Sequence, residues 1–170
     1  MSKRQVMINI LSKRTEYGNS LFEAESDEEL MEDDGDEGTY SDEPIELLTE
    51  GRLLLGEHRV ELVYEESELS GMEGSVTSIG FDIDSPMLVT MMRSGAVSTA
   101  LVFEEGKRHI CVYRTPFSDF EVCAVALKVE NRLLDLGRLD LDYVVEIHGA
   151  QAERCKMCIT VRELPELTES

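Results

Sequence analysis

The sequence predicts an all-β protein, an antiparallel up-and-down β-barrel of about 8–10 strands with an acidic insert loop between the first two strands. Three observations carry this prediction. Apolar and polar residues alternate with a period of two along most of the chain, turn signals recur every 8–12 residues or so, and no stretch of roughly ten residues or more shows helical periodicity. Closure is favoured because a barrel has no exposed strand edges.

The alternation is clearest in the segments LDLDYVVEIH, residues 139–148, and QAERCKMCITVRE, residues 151–163. The residues that share one face of these two segments are Leu139, Leu141, Tyr143, Val145 and Ile147, then Cys155, Met157, Ile159 and Val161. Each segment is therefore typical of a half-buried strand with one face in water. Gly149 and Ala150 lie between the segments and predict a tight hairpin.

The earlier segments follow the same pattern. We expect strands near 4–16, 45–55, 58–66, 74–83, 86–93, 97–105, 108–115 and 119–129. Turn signals separate them at Gly56-Glu57, Ser70-Gly71, Ser85-Pro86, Ser94-Gly95, Glu105-Gly106 and Thr115-Pro116. The segment RLLDLGRLD, residues 132–140, comes closest to a helical pattern, but Gly137 and the alternation after it favour a strand.

Length and charge restrict the classes of partner. A chain of 170 residues is long enough for one domain, 1–170, with a core of its own. The formal net charge of −20 is unevenly spread, because 13 acidic residues and no Lys or Arg lie between Glu23 and Glu46. Such a field repels phosphate backbones and anionic lipid, so we expect neither nucleic acid nor a membrane as a partner.

The acidic stretch, residues 22–44, is expected to be a disordered insert because its charges repel one another and it has few apolar residues. An EF-hand calcium loop does not fit, since counting from Asp33 places Gly35 at the third ligand position and Pro44 at the final glutamate. Segments of this composition can also bind a basic protein partner. Residues 164–170 are expected to form a flexible C-terminal tail.

The sequence predicts no targeting segment, membrane span or cofactor site. The apolar run at 6–11 is too short for a signal peptide, and no stretch approaches the ~18 apolar residues of a membrane span. We therefore predict a cytoplasmic protein with four free thiols. Cys155 and Cys158 lie three apart on a strand and must face opposite sides, Cys155 toward the core. The three histidines lie on different strands, so we expect no metal site and no cofactor.

The strand alternation predicts the positions in the barrel of glutamates in the segment YEESELSGMEGS, residues 64–75. Glu66 shares a strand face with Leu62 and Tyr64 and ends that face at a barrel mouth. Arg93 ends a second apolar face and needs an anionic partner, for which Glu66 is the first candidate and Glu73 the second. We interpret the pair as a structural ion pair. The alternative is a hydrolase that uses Glu66 and Glu73 as acid and base beside Arg93.

Several short motifs together resemble a known family. They are Tyr64-Glu65-Glu66, Gly71-Met72-Glu73-Gly74, Arg93-Ser94-Gly95 and Tyr113-Arg114-Thr115-Pro116. In these motifs the chain resembles the YwiB-like proteins of low-GC Gram-positive bacteria, over residues 4–16 and 45–163. It departs from them at Phe117-Ser118, where family members carry an aromatic residue followed by Gly, and in its long acidic insert. The resemblance implies a calycin-like (lipocalin-like) β-barrel and no particular activity.

The calycin likeness also implies a cavity at the barrel mouth. The residues that we predict to point inward are Leu62, Tyr64, Met91, Arg93, Leu101, Phe103, Tyr143 and Met157. They would form an apolar pocket in which Arg93 orients an anionic head. The candidate ligand contacts are Tyr64, Glu66, Glu73, Arg93, Tyr113 and Tyr143.

Three hypotheses follow. The first is a non-enzymatic barrel that binds a small amphipathic or anionic ligand, with no catalytic residue. The second is an interaction module that binds a basic protein through its acidic insert. The third is the hydrolase that would use Glu66 and Glu73. No nucleophile elbow, P-loop or dinucleotide fingerprint supports an enzyme of another class.

Overall fold

The computed structural model describes residues 2–16, 44–66, 74–148 and 150–165. Within these ranges the chain forms ten strands and one helical turn. They are β1 (Ser2–Glu16), β2 (Ile45–Leu55), β3 (Arg59–Glu65), β4 (Val76–Asp82), β5 (Ser85–Ser94), β6 (Ser98–Glu104), β7 (Arg108–Arg114), β8 (Asp119–Arg132), α1 (Leu133–Leu136), β9 (Arg138–Ile147) and β10 (Ala150–Glu163). The predictions for residues 22–43, for Glu73 and for residues 166–170 lie outside the described residues.

The ten strands form a closed barrel in which each strand pairs with its neighbour in sequence and every pair is antiparallel. The first and last strands close the ring, with Ile10 of β1 opposite Ile159 of β10. The predicted all-β up-and-down barrel is confirmed, and its strand number lies at the top of the predicted range. We call the end where the odd-numbered strands finish and the even-numbered strands begin the mouth.

The core is the inner lining of the barrel, and it follows from the two-residue alternation. Strand β3, for example, buries Val60, Leu62 and Tyr64 and leaves the residues between them more exposed. The predicted inward residues Leu62, Tyr64, Met91, Leu101, Phe103, Tyr143 and Met157 are all buried. Cys155 is fully buried and Cys158 is half-buried on the other face, which confirms their predicted directions.

The strand predicted for residues 132–140 is wrong in part, because Leu133–Leu136 form a helical turn. Gly137 ends the turn with φ of +67°, a left-handed conformation that glycine adopts readily. Its carbonyl accepts a hydrogen bond from the Val161 amide at 2.8 Å, which ties the turn to β10. Leu133 is buried and helps to fill the barrel end opposite the mouth. No helix among the described residues has the length and apolar character needed to cross a membrane.

The turn predicted at Ser85-Pro86 lies two residues earlier, at Ile83-Asp84, and Ser85 begins β5. The register of β4 against β5 shifts between Phe81 and Asp82. Pro86 is tolerated near the start of β5 because a proline costs least where ladder pairing is irregular. Its carbonyl accepts a hydrogen bond from the Asn131 carboxamide at 2.7 Å, which joins β5 to β8 at the filled end.

Candidate functional site

Six neighbouring strands contribute one row of side chains to the inner wall near the mouth. The members of this row, in order from β3 to β8, are Tyr64, Thr77, Arg93, Thr99, Tyr113 and Phe120. Each lies directly opposite the next across a pair of strands, so all of them face the interior. The row therefore runs from a polar section around Arg93 to an aromatic section at Tyr113 and Phe120, whose rings stack with centroids 5.4 Å apart.

Arg93 is the charged centre of this row. Its Nη2 lies 3.2 Å from Oε1 of Glu66, and its Nε donates to Oγ1 of Thr77 at 3.3 Å. Thr77 in turn donates to the same carboxylate oxygen at 2.6 Å. The Arg93 and Glu66 side chains are only 10% and 4% exposed. The predicted ion pair between Glu66 and Arg93 is thus confirmed.

Tyr64 completes the network beside Glu66. Burial raises the pKa of the Tyr64 hydroxyl well above its ordinary value, and the negative charge of Glu66 adds to the rise, while Arg93 opposes it. The hydroxyl therefore stays protonated beside the Glu66 carboxylate. Hydrogen bonds among Glu66, Thr77 and Arg93 compensate the two buried charges within the cluster, as a buried ion pair requires.

A second arginine, Arg14, reaches the mouth from another part of the wall. Arg14 lies in β1, opposite Cys155 of β10, and Cys155 lies opposite Tyr143 of β9. Its Nε is 3.4 Å from Oε1 of Glu153. In the strand order of the barrel, β1 and β5 are separated by β2, β3 and β4 on one side and by five strands on the other. Arg14 and Arg93 thus face the interior from well-separated strands.

Arg14 is not among the site residues predicted from the sequence, although the strand alternation indicates its position. Val6, Ile8 and Ile10 are buried on the inner face of β1, and counting on by twos from Ile10 leads through Ser12 to Arg14. The partner Glu153 lies on the last strand of the sheet. Its proximity to Arg14 depends on the register of β10 against β1, which the predicted barrel closure does not specify.

Two adjoining cavities lie at the mouth, and both are lined by Arg14 and Arg93. The larger has a volume of about 480 Å³ and a mainly apolar wall; that wall includes Val97, Leu101, Phe120, Val122, Val145 and Ile147. The smaller, of about 60 Å³, is lined on one side by Tyr64 and Glu66 and on another by Ile10 and Met157. A mostly apolar cavity with two fixed cations at its edge can hold an apolar body and an anionic group together.

Five of the six residues predicted as ligand contacts come together at these cavities. Tyr64 and Glu66 line the smaller cavity, Tyr113 and Tyr143 line the larger one, and Arg93 lines both. The sixth, Glu73, lies outside the described residues, so its pairing with Glu66 as acid and base stays a prediction. Among the residues that the structure describes, no cluster of three or more His, Cys, Asp or Glu is arranged to hold a metal ion.

Cys155 lies opposite two residues that line the larger cavity, Arg14 and Tyr143. Burial raises the pKa of the Cys155 thiol, whereas hydrogen bonding to Tyr143 and the charge of Arg14 lower it, and the net direction is upward. Burial likewise raises the pKa of the Tyr143 hydroxyl. Both groups are therefore neutral near pH 7, and Cys155 lacks the thiolate character of a nucleophilic cysteine.

The barrel fold has a counterpart among known protein structures. A family model described as "Domain of unknown function (DUF1934)" matches residues 30–159. The chain belongs to this family. The DUF1934 barrel is similar in fold to a crystal structure of the ywiB protein from Bacillus subtilis, with a TM-score of 0.61 and 20% sequence identity. The match covers 93% of this chain and 92% of the other. No curated protein matches the sequence significantly.

Proposed function

We propose that this DUF1934 barrel binds a small amphipathic anion at its mouth and does not catalyse a reaction. The apolar body of the ligand lies in the larger cavity, and its anionic group contacts Arg93 and Arg14. The observation that carries the proposal is that two arginines from separate strands line one mainly apolar cavity. Its volume of about 480 Å³ is within the range of roughly 300–1,000 Å³ that is usual for small-molecule sites.

The guanidinium of Arg93 has donors left for a ligand. Its five N–H groups exceed the needs of its two partners, because Glu66 is bonded to Nη2 and Thr77 to Nε. Both N–H groups of Nη1 are without a hydrogen-bond partner among the described residues. Glu66 and Thr77 fix the orientation of the guanidinium plane, so a carboxylate or similar anion can bind without reorganising it.

The aromatic side chains at the larger cavity suit an apolar or aromatic ligand body. Tyr113 and Phe120 present a stacked pair of rings, and Tyr143 is held against Phe103 with ring centroids 4.4 Å apart. Burial of an apolar body against such a wall contributes about 25 cal/mol for each Å² removed from water. The charge contacts then add orientation and selectivity for an anion.

A direct test compares octanoate with octanol as probes, by isothermal titration calorimetry on protein purified without refolding. The two probes share an apolar chain and differ in the carboxylate, so tighter binding of octanoate supports the role of the arginines. The variant Arg14→Gln should weaken octanoate binding about tenfold, the equivalent of one charge-assisted hydrogen bond. Octanol binding should change little.

The matched control is Arg114→Gln, because Arg114 lies at the same end of the barrel but its side chain is 71% exposed on the outer face. This variant removes one positive charge from the protein and should leave octanoate binding unchanged. Equal affinities for octanoate and octanol, or an equal effect of the two arginine variants, would contradict the proposal. Native mass spectrometry of the purified protein would show a co-purified small acid directly.

A further inference from the structure

The outer face of β1, β10, β9 and β8 carries a row of lysines in a strongly acidic protein. Lys13 lies directly opposite Lys156, Lys156 opposite Asp142, and Asp142 opposite Lys128. The three lysines are exposed and border a groove of about 440 Å³, which we call the lysine groove. Like charges directly opposite one another on a sheet are destabilising, so the pairing of Lys13 with Lys156 calls for a compensating anion.

The carboxylates on this face do not supply that anion. Asp142 is held by Arg154 through two hydrogen bonds of 2.9 and 3.1 Å. Asp140 is held in the same bidentate way by Arg138, at 2.8 and 3.2 Å. Within the described part of the chain, neither Lys13 nor Lys156 forms an ion pair. This face therefore has cationic charge that its own carboxylates leave uncompensated, on a chain with a formal net charge of −20.

We propose that the lysine groove is the docking surface for the acidic segment of the same chain, residues 22–43. This segment has 12 carboxylates and no Lys or Arg. The chain leaves β1 three residues after Lys13, and the residue that follows the segment, Pro44, itself lines the groove. The described chain therefore ends three residues past Lys13 and resumes at Pro44 in the same groove as the two lysines.

Attachment at both ends favours this occupant over a separate molecule. A tethered partner acts at an effective concentration in the millimolar range, and each further doubling of loop length costs only about 0.6 kcal/mol in closure entropy. The exposed side chain of Leu11 also lines the groove, and the segment contains apolar residues, among them Leu30 and Met31. Charge complementarity and a small apolar contact therefore act together. This inference does not depend on the ligand proposed for the mouth.

The test is zero-length carbodiimide coupling of the full chain, followed by proteolysis and mass spectrometry. Lys13 and Lys156 should couple to carboxylates of residues 23–43 several-fold more often than Lys3, an exposed lysine near the opposite end of the same strand β1. A mixture of unlabelled and 15N-labelled protein identifies the source of each cross-link. Links within one chain support the proposal, whereas links mainly between chains would show a second copy as the occupant and overturn it.

A second measurement uses variants of the groove. Cleavage of the acidic segment by a glutamyl protease should speed up several-fold in Lys13→Gln/Lys156→Gln, and also in ~1 M salt, where the screening length falls to about 3 Å. The control Lys3→Gln should be cleaved at the wild-type rate. The proposal would be refuted if coupling were as frequent at Lys3 as at Lys13. It would also be refuted if neither salt nor the double substitution changed the cleavage rate, even if the double variant is less stable.

Discussion

Arg93 of β5 and Glu66, which directly follows β3, form an ion pair across an intervening strand, with Nη2 and Oε1 3.2 Å apart. Thr77 of β4 lies between them and is hydrogen-bonded to both side chains. Because the two charges are almost fully buried, each depends on the other for compensation. The pair therefore joins three strands at the mouth and also orients the guanidinium toward the cavities.

Removal of one member of this pair should be strongly destabilising. We expect Arg93→Met to lower the free energy of unfolding by about 3–5 kcal/mol, because it leaves the Glu66 carboxylate buried without its cation. The double variant Arg93→Met/Glu66→Gln should lose clearly less than the sum of the two single changes. Urea unfolding followed by circular dichroism measures all three values.

The comparison pair for this experiment is Arg132 with Asp135, which lie 3.1 Å apart but are 54% and 56% exposed. Solvent screens this pair, so Arg132→Met should change the free energy of unfolding by no more than about 1 kcal/mol. Additive losses at Arg93 and Glu66, or a loss as small as that at Arg132, would show that the buried pair contributes little to stability.

The two-residue alternation was sufficient to predict most of this fold. The alternation along β3 and β5 predicts that Glu66 and Arg93 lie on the inner face. The pairing of β3 with β4 and of β4 with β5 brings the two side chains together. Hairpin connections keep sequence neighbours adjacent in space, so contacts between them follow from local pattern. This is why the row from Tyr64 to Phe120 could be anticipated in part.

The features that the sequence did not reveal depend on other physical causes. The contact of Arg14 with Glu153 depends on the register of the last strand against the first, which neither barrel closure nor local spacing specifies. The turn at Leu133–Leu136 was missed because Gly137 supports both a strand bend and a left-handed helix end, and its bond to Val161 comes from a distant strand. Long-range pairing and turn geometry decided these two cases.

Gly51 of β2 should not tolerate a side chain. A Cβ atom there would lie 2.4 Å from Cδ1 of Ile8 and 2.7 Å from the carbonyl oxygen of Val63, both well inside van der Waals contact. We expect Gly51→Ala to lower the free energy of unfolding by about 1–3 kcal/mol through overpacking. Thermal and urea unfolding of the variant measure the loss.

A second substitution tests the cause of this loss. Ile8→Val removes the Cδ1 methyl group and alone should cost about 0.5–1.5 kcal/mol. In Gly51→Ala/Ile8→Val the clash with Cδ1 of Ile8 is absent, while the contacts with the Val63 carbonyl oxygen and with Cβ of Tyr64, at 3.3 Å, remain. The combined loss should therefore be smaller than the sum. Strict additivity would indicate that strain against the backbone, rather than against Ile8, limits this position.

The buried tyrosine at the mouth should make folding stability depend on pH in alkaline solution. Burial and Glu66 raise the pKa of Tyr64 in the folded state, whereas an unfolded tyrosine ionises near pH ~10. Above that pH the unfolded chain has lost a proton that the folded chain retains, so the free energy of unfolding falls as pH rises. Below the unfolded pKa this contribution to stability is fully present.

Replacement of the Tyr64 hydroxyl distinguishes its contribution to the pH dependence of stability from that of the other groups that titrate in this range. Tyr64→Phe should show a shallower decline in the free energy of unfolding above pH ~10 than the wild type. Below pH ~9 the two proteins should have parallel profiles, since the thiols contribute equally to both. Profiles that stay parallel through the whole range would mean that the Tyr64 hydroxyl ionises as easily in the barrel as in the unfolded chain.

The C-x-x-C spacing of β10 should give two thiols of very different accessibility rather than a redox pair. Cys155 is fully buried behind the cavity wall, and Cys158 is half-buried on the outer face beside Asp140. Burial raises the pKa of both thiols, and the Asp140 carboxylate raises that of Cys158 further. Iodoacetamide should therefore alkylate Cys158 slowly in the native state, and Cys155 only when the barrel opens.

Peptide mapping by mass spectrometry across a urea series separates the two, because alkylation of Cys155 should rise in parallel with the unfolded fraction. Equal labelling of both residues in buffer, or a disulfide between them, would contradict the strand geometry that sends their side chains to opposite faces.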